Sequence, residues 1–279
     1  MANHHYGRIG DIWKHLALAE ILAIEKPAEY WESHAGSARY PLTHSWQRDY
    51  GVFYFLSHAA ESEALDASHY RKVLADCAGF YPGSSEIAMR VLGSGTAFVL
   101  CDTDAESIAS LHNSAHELGI PQARCENGDG QDVLWNEIVH LSEARAKRLF
   151  VHLDPWSCMA PSERSGRTSL DLFRELSRKG ASVVLWVGFD SIAQRNAIVE
   201  HFEGGDWFGE IELDLIKNPR PEVNPGVFGC GLYSANLSAS AVQAAERLGN
   251  ELARIYETAP VQPGESGRLL YRSALYRQG

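Results

Sequence analysis

The sequence predicts an α/β protein: a mostly parallel sheet with helices on both faces and a helical insertion near its start. Three observations lead there. From residue 97 onward, short apolar runs alternate with helical patterns, as in β-α units of a parallel sheet. Leu149-Phe150-Val151-His152-Leu153 is a short, largely apolar run of the kind that forms a buried parallel strand. Residues 44–80 interrupt the alternation with aromatics and helix formers, among them Trp46, Tyr50, Phe55 and Tyr70. The sheet domain is therefore expected over 1–43 and 81–279, with 44–80 as an inserted helical subdomain.

The elements follow in order. Asp11 to Ile24 has Ile12, Leu16, Ala19 and Ala23 at helical spacing. Glu29 to Glu32 reads as the first strand, and Ser33-His34-Ala35-Gly36-Ser37-Ala38-Arg39-Tyr40 as a small-residue loop after it. Tyr81-Pro82-Gly83-Ser84 reads as a turn, with Ser84 capping a helix to about Leu92. Ala97 to Cys101 is a strand ending in Asp102, and Ala105 to Leu118 a helix closed by Gly119. Gln122 to Glu126 is a strand ending in Asn127-Gly128-Asp129-Gly130, followed by a helix from Gln131 to Ser142. After the strand before Asp154, Thr168 to Arg178 is a helix closed by Gly180. Ser182 to Val187 is a strand, and Ile192 to Phe202 a helix. Glu210 to Ile216 and Gly231 to Leu237 are the next strands. Ser240 and Gln243 suggest a capping box for a helix to Tyr256, and Gly267 to Leu275 an added edge strand.

Bulk properties narrow the class. The 279 residues suit one large α/β domain, and 45% hydrophobic with 22% charged residues is ordinary for a globular protein. Twenty-five basic against thirty-six acidic residues give a formal charge of −11, which argues against broad, non-specific nucleic-acid binding. No apolar run reaches membrane-spanning length, and the N-terminus lacks the shape of a signal peptide. Cys77, Cys101, Cys125, Cys158 and Cys230 are odd in number and hold no Cys-x-x-Cys pair. They read as reduced thiols of a cytoplasmic protein, with neither a disulfide framework nor a metal site.

The chemistry concentrates at strand ends, where open α/β sheets bind ligands. Ser33-His34-Ala35-Gly36 follows the first strand, Asp102 ends the second, Asp129-Gly130 follows the third and Asp154-Pro155-Trp156-Ser157 the fourth. An acidic residue after the second strand suits ribose hydroxyls, and an Asp-Gly after the third suits an adenine ring. Pro155 stiffens the turn that presents Asp154. Each residue also has an ordinary role open to it: Asp102 and Asp129 as helix caps, His34 as a loop histidine, Lys14 and His15 as a helix face. The joint placement is the layout of a class I S-adenosylmethionine methyltransferase with a Rossmann-like sheet.

The chain also resembles the bacterial methyltransferases that modify the exocyclic amine of an adenine in 23S ribosomal RNA. The matching pieces are Asp11-Ile12-Trp13-Lys14-His15, the loop from Ser33 to Tyr40, Tyr81-Pro82-Gly83-Ser84 with its helix, Asp102, Asp129-Gly130, Asp154-Pro155 and a glycine-rich last strand from Gly229 to Ser238. The resemblance implies that His15, His34, Ser84, Asp102, Asp129, Gly130 and Asp154 line the S-adenosylmethionine pocket. It implies that Asp154 is catalytic, accepting a hydrogen bond from the target amine. Lys14, Pro155, Trp156 and Ser157 would then face the substrate. Where the family has Asp-Pro-Pro-Tyr, this chain has Asp154-Pro155-Trp156-Ser157, and Gly7-Arg8-Ile9 stands for the family's Gly-Asn-His. The cofactor half of the signature is kept and the substrate half altered.

Three functions follow: methylation of a ribosomal RNA adenine, methylation of a small-molecule acceptor, aromatic ones included, on the same scaffold, or binding of cofactor or RNA without chemistry. Basic patches available to RNA are Arg145, Lys147 and Arg148; Arg164 and Arg167; and Arg268, Arg272 and Arg277. The oligomeric state is left open.

Overall fold

The computed structural model describes residues 5–77, 79–202, 205–215, 229–257, 259–262 and 265–275. Helix α1 (Ile9–Glu25) comes first. It starts two residues before the expected Asp11, because Arg8 is extended and Asp11 accepts a hydrogen bond from its backbone N–H at 3.3 Å. Strand β1 (Glu29–Glu32) and the short β2 (Arg39–Pro41) follow.

Residues 46–76 are a chain of short helical turns: α2 (Trp46–Arg48), a π-helical turn (Asp49–Phe53), α3 (Tyr54–His58), α4 (Glu63–Asp66) and α5 (His69–Asp76). Their buried side chains, including Tyr50, Phe55, Leu65 and Tyr70, belong to the same hydrophobic cluster as α1. β3 (Phe80–Pro82) then pairs antiparallel with β2, so the segment leaves and re-enters the domain through a two-stranded clamp. The expected Tyr81-Pro82 turn is thus a strand. Gly83 occupies the cap position of α6 (Ser84–Leu92), because a Cβ on Gly83 would meet the Ser37 carbonyl.

The rest is β4 (Ala97–Asp102), α7 (Ala105–Glu117), β5 (Arg124–Asn127), α8 (Gly130–Val139), α9 (Glu143–Ala146) and β6 (Leu149–Leu153). Then come α10 (Ser169–Lys179), β7 (Ser182–Phe189), α11 (Ile192–Glu200), β8 (Trp207–Leu215), β9 (Gly229–Ala235), α12 (Ala239–Ile255), β10 (Pro260–Gln262) and β11 (Glu265–Leu275). The helix expected to run to Ser142 breaks after Val139. The cap of α12 is Ser238, whose hydroxyl accepts from the Ala241 N–H, in place of the expected Ser240. The expected Ile216 end of β8 and Arg277 lie outside the described residues.

The sheet order is β10-β11-β8-β9-β7-β6-β1-β4-β5. β5, β4, β1, β6 and β7 are parallel, and the remaining pairings are antiparallel. β11 is not the edge, since β10 pairs beyond it. This is the mostly parallel, Rossmann-like sheet expected. One apolar cluster, with Trp13, Tyr30, Phe98 and Leu248, fills the face under α1, α6, α7 and α12. A second, with Trp31, Val151, Leu134 and Phe173, fills the face under α8 and α10. From β1 the chain builds outward to β4 and β5 on one side, then returns to β6 and β7 on the other. The loops after β1 and β6 part there, the place where sheets of this order hold a ligand crevice at the carboxyl ends of the strands.

Candidate functional site

That crevice brings together most of the strand-end residues. β1 pairs with β4 and β6 in register, Glu32 opposite Leu100 and opposite His152, so the loops after all three leave the same edge. Asp154 lies just past β6, its side chain 16% exposed, and Pro155 behind it is buried. Lys14 reaches across from α1. Its ammonium donates to Asp154 Oδ2 at 2.7 Å and lies 3.2 Å from Asp11 Oδ1. Burial by itself drives the Lys14 pKa down. The charges of Asp154 and Asp11, and the hydrogen bonds to both, overcome that and raise it, so Lys14 stays an ammonium. The indole of Trp186 lies 5.5 Å from it.

On the β1 side, Gly36 has φ +59, the left-handed region open to glycine. Its N–H donates to Asp102 Oδ2 at 2.8 Å, while Oδ1 accepts from the Asp104 N–H at 2.8 Å. Asp102 therefore orders the β1 loop, and each oxygen keeps a further lone pair. Asp129 caps α8, accepting from the Gln131 N–H at 2.8 Å. Gly130 meets the β1 loop backbone to backbone: a Cβ there would fall within 2.7 Å of Ser33 Cα and onto its carbonyl. His34 bonds Ser33 Oγ at 2.7 Å. Its burial lowers its pKa, against the pull of Asp154, Asp129, Asp102 and Glu32, so the ring is neutral at pH 7.

The same four carboxylates act on the crevice at His34, with the Lys14 ammonium offsetting Asp154. A dinucleotide would bring a pyrophosphate into it, against like charge, and the chain has no G-x-G-x-x-G loop to offset that. A cation carrying ribose hydroxyls meets favourable charge and acceptors instead. These residues fit a sulfonium nucleoside.

Two expected residues sit elsewhere. His15 is 3% exposed, with Nδ1 2.9 Å from the Tyr81 hydroxyl, which in turn lies 3.1 Å from that of Tyr70. It is part of the core beneath α1. Ser84 is equally buried and donates to Glu32 Oε1 at 2.5 Å. Sequence reading missed Glu32 itself. It is fully buried and takes bonds from Ser84, from His152 Nδ1 at 2.8 Å and from the Tyr30 hydroxyl at 3.0 Å. This hub ties β1, β6 and α6 together directly beneath the crevice. The available signal was polar residues inside two strand patterns, Glu32 and His152.

Burial holds the His15 pKa well below 6.5, with the Lys14 charge adding to the effect. In the unfolded chain His15 gains a proton as pH falls through about 6.5, and in the folded protein it does not. The unfolded state then binds more protons, so stability falls on acidification by up to about 1.4 kcal/mol per pH unit for this group. Urea melts at pH 7.5 and 5.5 should show the loss. A His15→Gln variant with the same pH slope would refute the assignment.

The outer rim is open. Trp156 is 84% exposed, its ring 5.9 Å from that of His5, and Met159 is 43% exposed on the same loop. Ser157, Arg164 and Arg167 are exposed, and Arg167 stacks on Trp135 at 4.4 Å. The patch at Arg145, Lys147 and Arg148 lies at the other end of β6, where Arg145 forks onto Glu29 at 2.8 Å. It does not share the edge of the sheet that carries Asp154. Arg272 is paired with Glu212.

No protein-family model matches the chain, and no curated protein does. Among solved structures, it is similar to protein LPL1258 of Legionella pneumophila, a DUF519 protein, at 21% identity and a TM-score of 0.70 over 98% of this chain and 99% of that one. That likeness establishes a shared fold. Weaker ones are to the precorrin-6y C5,15-methyltransferase of Geobacter metallireducens (10% identity, 77% and 85% of the chains, TM-score 0.38) and the ribosomal protein L11 methylase of Lactobacillus delbrueckii subsp. bulgaricus (13%, 85% and 81%, TM-score 0.39).

Proposed function

We propose that the protein is an S-adenosylmethionine-dependent methyltransferase whose acceptor is the exocyclic amine of an adenine in ribosomal RNA. The carrying observation is Asp154, held by Lys14 at the mouth between β1 and β6, within an anionic crevice suited to a sulfonium. The cofactor would supply an electrophilic methyl group on a positively charged sulfur. Asp102 and the Gly36 loop would take its ribose, Asp129 and Gly130 its adenine, and neutral His34 would offer hydrogen bonds that add no repelling charge.

An adenine amine is a poor nucleophile because its lone pair is delocalised into the ring. Asp154 would accept one N–H and draw the nitrogen toward tetrahedral geometry, with the Pro155 carbonyl as the second acceptor. Lys14 occupies Oδ2, and among the described residues Oδ1 has no hydrogen-bond partner, so one oxygen is left for the amine. Holding the amine in line supplies much of the rate, roughly 7–11 kcal/mol in good cases.

The open rim supports the RNA reading over a small acceptor. A flipped base needs a stacking surface, and Trp156 offers one at the edge of the crevice with Arg164 and Arg167 on the same loop. Trp156→Ala should weaken RNA binding by roughly 1–3 kcal/mol, and affinity should fall steeply with salt. Incubation with labelled cofactor and unmodified ribosomal RNA tests both. Turnover on a small aromatic amine with no label in RNA would overturn the substrate in favour of a small acceptor. Cofactor binding with no turnover on any acceptor would leave a binding protein.

A further inference from the structure

The loop that carries Trp156 and Met159 is not held by β6 alone. Its amides from Ala160 to Gly166 close on themselves: Ser162 N–H donates to the Arg167 carbonyl at 2.8 Å, and Gly166 N–H to the Ser162 carbonyl at 3.0 Å. The folded loop then hangs on the first turn of α8. The Gln131 amide nitrogen donates to the carbonyls of Ala160 (3.3 Å) and Arg167 (2.9 Å), and its oxygen accepts from the Ser169 hydroxyl at 3.1 Å. Asp132 Oδ1 accepts from the Ser162 hydroxyl at 2.6 Å and the Ser165 N–H at 3.1 Å.

Gln131 is 5% exposed; its amide nitrogen is spent on this loop and its oxygen on Ser169, the first residue of α10. Its own N–H is capped by Asp129, and its neighbour Gly130 abuts Ser33. Three consecutive residues therefore touch the β1 loop on one side and the rim loop on the other. The two loops are otherwise separate in sequence.

We infer that Gln131 is a positioning residue for the acceptor: with Asp132, it holds the rim loop so that Trp156 stands in register with Asp154, and it thereby sets acceptor affinity without touching acceptor or cofactor. The inference rests on the proposed methyl transfer, yet its first link, from α8 to the loop, stands apart from it.

The test uses Gln131→Met, which keeps length and removes all three bonds, and the pair Asp132→Ala and Asp132→Asn. The asparagine retains an acceptor oxygen. Three quantities are read: amide hydrogen exchange over 157–167, affinity for S-adenosylhomocysteine, and methyl transfer to unmodified ribosomal RNA. Gln131→Met and Asp132→Ala should speed loop exchange and raise the acceptor KM, each by about tenfold or more, while kcat and nucleoside affinity stay within about twofold. Asp132→Asn should behave as wild type. Unchanged loop exchange overturns the inference, as does a loosened loop with an unchanged KM, or a kcat and nucleoside affinity that fall as KM rises. Should Gln131→Met not fold, the Asp132 pair carries the same comparison. If the wild-type protein binds the nucleoside but methylates no RNA, the substrate proposal fails, and loop exchange alone then decides this one.

Discussion

Asp154→Asn should lower methyl transfer by about 10²- to 10⁴-fold while leaving the protein folded and able to bind cofactor. The substitution keeps the shape of the side chain and removes its charge. An amide oxygen is a weaker acceptor than a carboxylate, so the strong hydrogen bond proposed to the amine would be lost. Lys14 decides why the fold survives. A buried ammonium stripped of its only partner typically costs about 3–5 kcal/mol. Here Asp11 remains 3.2 Å away, and the new amide oxygen can still accept from Nζ. The loss should therefore appear in kcat, with thermal unfolding near that of wild type. Single-turnover transfer within about threefold of wild type would remove Asp154 from the chemistry. Lys14→Met is the complementary variant. It leaves Asp154 and Asp11 without their shared counter-ion, so activity and stability should fall together.

That ion pair shows what the sequence withheld. Lys14 and Asp154 lie 140 positions apart, and only the packing of α1 over the sheet brings them together. Strand ends were legible because alternating apolar runs place them, and with them Asp102, Asp129 and Asp154. Side-chain direction was less so. Ser84 has the residue type of a cap, but Gly83 takes the extended backbone of that position and frees the Ser84 hydroxyl for Glu32. Ser240 lost the cap of α12 to Ser238 by the same kind of local choice.

The basic patch lies farther from Asp154 than its sequence position suggests. Arg145, Lys147 and Arg148 are close to Asp154 in sequence, yet the five-residue strand β6 stands between them. At about 3.3 Å per residue it carries them roughly 16 Å away, to the opposite edge of the sheet. Proximity along a strand is distance across a domain. His15 was misplaced in the opposite sense: one residue from Lys14 on α1, it turns from the crevice into the Tyr81–Tyr70 network. Adjacent helical positions face directions about 100° apart, so a motif on one helix splits between site and core.

Gly130→Ala should reduce cofactor affinity by about 100-fold, although helix propensity argues the other way. Gly130 is the first residue of α8 and has no positive φ, so alanine suits its backbone and would favour the helix by about 1 kcal/mol. Sterics reverse that sign. The added methyl would fall on the carbonyl group of Ser33, and the atoms it meets are backbone, which no rotamer change can move aside. Either α8 withdraws or the Ser33-His34 loop shifts, and each movement separates the residues proposed for the adenine from those proposed for the ribose. Overpacking of this kind usually costs about 1–3 kcal/mol in stability, too little to unfold a domain of this size. Calorimetric titration with S-adenosylhomocysteine measures the loss. Gly128→Ala is the control, since a Cβ there meets only Val133 Cγ2 at 3.6 Å and should leave binding unchanged. If Gly130→Ala binds as tightly as Gly128→Ala, the close approach of α8 to the β1 loop does not build the cofactor site.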